Sequence, residues 1–113
     1  MSELRVSDFV KAPGFRSKAD GENSGEWFRD AILAPKLKSA ISDNEKLVVR
    51  LDGVAGYGSS FLEEAFGGLI RKRLATPAQV DRHLQVVAGS PLFRPYEDLI
   101  RRFIKRSAEA TAS

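Results

Sequence analysis

Cysteine is absent from this chain, and histidine, tryptophan and methionine each occur once. Without cysteine there can be no disulfide and no thiolate metal site, and the composition suits a reducing compartment. The single histidine, His83, and the lack of any acidic cluster leave no metal site to expect. No run of residues approaches the ~18 consecutive apolar positions of a membrane-spanning helix. The first ten residues, MSELRVSDFV, lack the charged-then-apolar order of a secretory signal. A cytoplasmic location is therefore expected.

What the chain does contain fits one globular domain over residues 1–113, with 42% hydrophobic and 29% charged residues. The net charge of +3 and a pI near 9.4 raise the question of nucleic acid. The basic residues are spread out, however, and the densest groups are Arg71, Lys72, Arg73 and Arg101, Arg102, Lys105, Arg106. Both fall where a helix end or a solvent face ordinarily carries cations, so nucleic acid is an unlikely partner.

Leu4 to Val10 reads as a short strand. The stretch from Lys11 to Gly25 then runs fifteen residues with three glycines, one proline and little periodicity, a long loop of the functional or mobile kind. Asn23 and Glu26 have the spacing of a capping box and open a helix whose stripe is Trp27, Phe28, Ala31 and Ile32. Beyond Pro35 the apolar positions Leu37, Ala40 and Ile41 fall on the opposite side, which predicts a kink or break near Ala34. Leu47 to Leu51 is the best strand, nearly continuous in apolar residues and expected to be central and covered on both faces. A helix over Ser59 to Arg73 follows. Thr76-Pro77-Ala78-Gln79 caps a short helix, and His83 to Ala88 alternates as a strand. Tyr96, Leu99, Ile100, Phe103 and Ile104 form one stripe of a last helix, with residues 108–113 expected to fray. Strands alternating with helices give an α/β domain whose sheet is at least partly parallel.

The richest segment is LVVRLDGVAGYGSSFLEEAFGGLIRKR, residues 47–73. It joins a strand, a glycine-rich turn, two serines and a helix opening, where unpaired N–H groups favour an anion. Neither G-x-G-x-x-G nor G-x-x-x-x-G-K-[ST] is present, so nucleotide hydrolysis is not supported. Ser60 and Glu63 have capping-box spacing with Ser60 as N-cap, which leaves Ser59 the freer hydroxyl. On a helical wheel Gly67 and Gly68 fall opposite Phe61, Leu62, Ala65, Phe66, Leu69 and Ile70, among Glu63, Glu64 and Arg71. Glycine inside a helix costs ~1 kcal/mol, so a bare outward face implies close approach, by another element of this protein or by a partner. Catalysis lacks its parts. G-x-S-x-G is missing, His83 stands alone, and Asp52 suits a turn, so no catalytic residue, no cofactor and no enzyme are expected.

SGEWFRD, the leucine–proline–leucine helix (Leu33, Pro35, Leu37) and LDGVAGYGSSFLEEAFGGLIR together resemble a bacterial STAS-like family of unknown function over roughly Leu4 to Ala108. That family is distantly similar to the anti-anti-sigma STAS domains, which implies a small α/β domain with a mixed sheet and helices packed on it. In those domains a strand ending in Asp-Ser-Ser-Gly opens a helix, and a serine there is phosphorylated by a GHKL-type kinase. The second serine of that motif falls on Ser60, with Gly58 in the place of aspartate and Phe61 in the place of glycine. The resemblance implies a non-enzymatic module of bacterial signalling that docks a protein partner, such as a GHKL-type ATPase or kinase. The expected contact surface is Tyr57, Gly58, Ser59, Ser60, Glu63, Glu64, Gly67 and Gly68, with Ser59 and Ser60 as candidate phosphorylation sites. The alternative is an anion- or nucleotide-sensing domain using the same turn, with Arg16 or Lys18 closing over it.

Overall fold

The most apolar strand of the sequence lies at the centre of the sheet. In the computed structural model, which describes residues 2–112, β2 (Leu47–Arg50) lies between β1 (Ser2–Arg5) and β3 (Leu84–Val87). Both pairings are parallel, with Leu4 opposite Val49 and Val49 opposite Val86. The α/β class holds, and the sheet is wholly parallel among the described residues where a mixed one was expected. Because side chains alternate along a strand, Leu4, Leu47, Val49, Leu84 and Val86 share the core face. The other face presents Glu3, Arg5, Arg50 and Gln85 to solvent, with Glu3 paired to Arg50 at 3.1 Å. The core packs on one face of the central strand; on the other, Val48 is buried between Glu3 and Gln85 while Arg50 is exposed, so the expected cover on both faces is only partial.

β1 stops at Arg5, five residues short of the expected strand end at Val10. Val6–Asp8 instead form a 3-10 turn in which the N–H groups of Phe9 and Val10 both return to Val6 O at 2.9 Å. The turn buries Val6 and Val10.

Two long helical passages each contain a π turn. The first consists of α1 (Gly25–Phe28), a π turn (Arg29–Leu33) and α2 (Ala34–Ser42). Its N-cap is Ser24, whose Oγ accepts from Trp27 N–H at 3.1 Å; Asn23 has φ +55° and takes no part in the box expected of it. The helix does not break at Ala34. The Ala34 N–H reaches back to Arg29 O, an i→i−5 bond, so the change of stripe is absorbed by one inserted residue just before Pro35. The second passage is α3 (Ser59–Leu62), a π turn (Glu63–Gly67) and α4 (Gly68–Arg71). Phe28, Phe61 and Phe66 are fully buried where these passages meet the sheet, each stabilising by ~1.5–3 kcal/mol.

α5 (Pro77–His83) carries the capping box as expected, with Thr76 Oγ1 accepting from Gln79 N–H and Gln79 Oε1 from Thr76 N–H. α6 (Arg94–Ala112) buries Ile100 and Phe103 and leaves Arg101, Arg102, Lys105 and Arg106 exposed. It continues past Ser107 without fraying, and Thr111 Oγ1 donates to Ser107 O at 3.0 Å. Only Ser113 of the expected frayed tail, 108–113, lies outside the described residues.

Candidate functional site

Beyond β2 the chain turns through Asp52 and two glycines with left-handed φ, Gly53 at +94° and Gly56 at +156°. The Asp52 carboxylate accepts from the N–H groups of Gly89 at 2.7 Å and Ser90 at 2.9 Å, which ties the end of β2 to the end of β3. The Gly89 amide, then that of Ser90, holds this carboxyl below its ordinary value against the opposing pull of burial. Tyr57 is buried, with its hydroxyl donating to Leu51 O at 2.7 Å and its ring 5.1 Å from Tyr96 and 6.1 Å from Phe93. Burial first, then the Asp52 charge, pushes the Tyr57 hydroxyl pKa well up, so it stays protonated. It is an anchor of the turn and not a contact residue.

The long loop lies across this turn. Ala55 N–H donates to Lys11 O and Gly58 N–H to Pro13 O, and a Cβ on Gly58 would meet the Gly14 backbone at 3.2 Å. Farther on, Phe15 O and Arg16 O accept from the first N–H groups of α1, so the loop also satisfies donors that the helix cannot. Gly58 is the N-cap of α3 with no side-chain cap, so the expected Ser60–Glu63 box is not formed. Ser59 and Ser60 are both exposed, and neither hydroxyl is engaged among the described residues.

Glu63 and Glu64 instead serve an arginine cluster. Arg16 Nη1 reaches Glu63 Oε1 at 2.6 Å and Glu64 Oε1 at 3.3 Å, and Arg71 Nη1 reaches Glu63 Oε2 at 2.5 Å. Arg29 is buried, donating to Glu64 O at 3.1 Å, to Glu64 Oε2, and through Nε to Asp30 Oδ1 at 2.9 Å. Lys18 joins from the loop, 3.5 Å from Asp30. Burial alone would raise the Glu63 carboxyl, but hydrogen bonds from Arg16 and Arg71 outweigh it and hold it below its ordinary value. Arg16 and Lys18 are therefore committed to carboxylates and do not close over the serine turn. Arg29 was not visible in the sequence as a site residue. Its only signal is a cation on the apolar side of a helix.

Gly67 and Gly68 are buried, which corrects their assignment to a partner surface. A Cβ on Gly67 would lie 2.7 Å from Glu63 Oε2 and 2.9 Å from Ser107 Oγ of α6; one on Gly68 would lie 2.5 Å from Arg29 Nη1. The close approach is made by this protein's own elements. Gly25 plays the same part at the crossing of α1 and α3, where a Cβ would lie 2.5 Å from Phe61 O.

The family model that matches this chain, a STAS-like domain of unknown function (DUF4325), spans residues 24–91 and so covers more than half of it. The chain belongs to that family. No curated protein and no solved structure matches it. The matched part of this STAS-like domain runs from the Ser24 cap to the turn after β3, whereas β1, most of the long loop and α6 lie outside it. Of the residues expected on a docking face, Ser59 and Ser60 are exposed, Gly58, Glu63 and Glu64 are half-buried, and Tyr57, Gly67 and Gly68 are buried. His83 is buried with Nδ1 2.8 Å from Glu45 O, at the start of β2, the end of the sheet opposite the serines. Among the described residues no His, Asp or Glu cluster could hold a metal ion, and no helix is long and apolar enough to cross a membrane.

Proposed function

We propose that this STAS-like domain is a non-enzymatic regulatory module that docks a protein partner at the serine turn, the partner being an ATPase or kinase of the GHKL type. The observation that carries this reading is the pair of exposed, unengaged hydroxyls at Ser59 and Ser60, set on a turn that Tyr57 and Asp52 hold rigid. The docking face is smaller than the sequence suggested, because Gly67 and Gly68 are already packed; it comprises Ser59, Ser60 and the loop backbone laid beside Gly58. Phosphorylation of Ser60 is the switch. A phosphate there adds about −1.5 to −2 charge, one helical turn before Glu63 and Glu64. It competes with those carboxylates for the Arg16 guanidinium and loosens the loop that Arg16 fastens.

The test is photo-crosslinking in living cells. A crosslinking amino acid at Ser60 should capture one discrete partner, and the same group at Glu3 on the open sheet face should not. Adding Ser59→Asp should lower the yield. Equal capture from both positions, or none from Ser60, removes the docking reading; unmodified Ser59 and Ser60 in a partner complex supplied with ATP removes the switch.

A further inference from the structure

The outer edge of β3 borders a groove unrelated to the serine turn. The groove has a volume of about 670 Å3, with Leu84 and Val86 along its base, Val80 and Asp81 on the α5 side, and Ile104 and Lys105 on the α6 side. Leu51 N–H donates to Val87 O at 3.0 Å, and Val49 is opposite Val86. In a parallel ladder this places the backbone groups of Gln85 and Val87 toward β2 and those of Leu84, Val86 and Ala88 away from it. Two of the outward donors are occupied: Leu84 N–H by Val80 O, and Ala88 N–H by Glu97 Oε1 at 2.5 Å. The Val86 N–H and C=O have no partner among the described residues.

An open strand edge takes another strand. Two observations select which. The lips are helices, so a second copy would bring its own α5 and α6 against them, while a single extended segment fits between. The α6 lip also carries a cation, Lys105, beside Arg101, which Asp98 and Glu97 hold, and Arg102 and Arg106 continue the exposed face. We infer that the β3 edge receives an extended peptide of a partner protein, pairing through Val86, burying apolar side chains against Ile104 and presenting a carboxylate to Lys105. About four residues would pair, since β3 is four residues long and a strand rises ~3.3 Å per residue.

Selection of short random peptides displayed on phage against the full chain tests this, followed by titration of the winning synthetic peptide. The expected sequences alternate apolar residues with Asp or Glu. Val86→Pro removes the outward N–H but no ladder bond, and should weaken binding by about ten-fold or more. Lys105→Glu, at an exposed position, should weaken it several-fold and serves if the proline variant fails to fold, while Ser60→Asp should leave it unchanged. In hydrogen exchange the Val86 amide should be fast in the free protein and slow with peptide. No enrichment, a peptide indifferent to Val86→Pro and Lys105→Glu, or a Val86 amide protected in the free protein as its concentration rises overturns the inference, the last in favour of a second copy. Because Ser60→Asp is silent here, failure at this edge leaves the serine-turn reading standing, and the reverse.

Discussion

Most of the long loop and all of α6 lie outside the family-matched stretch, and both are fastened to the chain between Ala55 and Arg71, by opposite means. α6 is held by apolar burial, with Ile100 fully buried, Phe103 nearly so, and Ser107 fitted against Gly67. The loop is held by polar bonds: Arg16 to Glu63 and Glu64, Gly58 N–H to Pro13 O, Ala55 N–H to Lys11 O. Burial of one large apolar side chain contributes ~1.5–3 kcal/mol, whereas a half-exposed ion pair contributes ~0–1 kcal/mol. The same helix therefore carries a permanent neighbour on one side and a releasable one on the other.

Removing the apolar fastening should have the largest effect. Ile100→Ala should destabilise the whole domain by ~2–5 kcal/mol, seen as a lower denaturant midpoint. Gly68→Ala comes next, at ~1–3 kcal/mol, because the Arg29 guanidinium it displaces is fixed by Asp30 and Glu64 and cannot simply swing away. A gain in stability from the better helix former would show that Arg29 is freer than its bonds indicate. The two serines separate capping from docking: Ser24→Ala should cost ~1 kcal/mol, and Ser60→Ala should stay within ~0.5 kcal/mol. Equal losses would restore Ser60 as a cap.

The smallest global effect and the clearest local one belong to the loop. Arg16→Ala should cost no more than ~1 kcal/mol, since Arg16 is 42% exposed, yet should open residues 17–20 to proteolysis. Acid should act in the same direction. The Glu63 carboxyl is depressed below its ordinary 4.5 in the folded state, so its contribution is present above that value and is lost as pH falls through the lower folded one. Trp27, the chain's single tryptophan, lines a small pocket with loop residues Lys18 and Glu22, so its fluorescence reports the loosening. A change is expected only as pH falls below 4.5, with far-ultraviolet dichroism unchanged; no change in fluorescence before global unfolding would contradict it.

The same contrast explains what could be read from the sequence. Elements defined by apolar period or local caps were legible: β2, the Thr76 box, the stripe of α6. The π turns were not, because an i→i−5 bond inserts one residue and turns everything after it by about 100°. That insertion is why a break was expected near Ala34, whereas Gly67 and Gly68 looked outward and lie buried because Ser107 of α6 and Arg29 cover that side of the helix. Arg29 escaped notice for a related reason. Its carboxylate partner Glu64 is distant in sequence, and no spacing rule links them. The two serines, at the start of a helix after a glycine-rich turn, stood out because turn chemistry is local.

The wholly parallel sheet has a kinetic consequence. Neither strand pairing is a hairpin, so each waits for the helical passage between its strands to fold and cross over. β1 in particular closes over the long loop and the whole first helical passage before it meets β2. Folding is then governed by non-local closure, on the millisecond-to-second scale instead of the microseconds of a helical bundle of this size. β1 should be the last strand to gain amide protection during refolding.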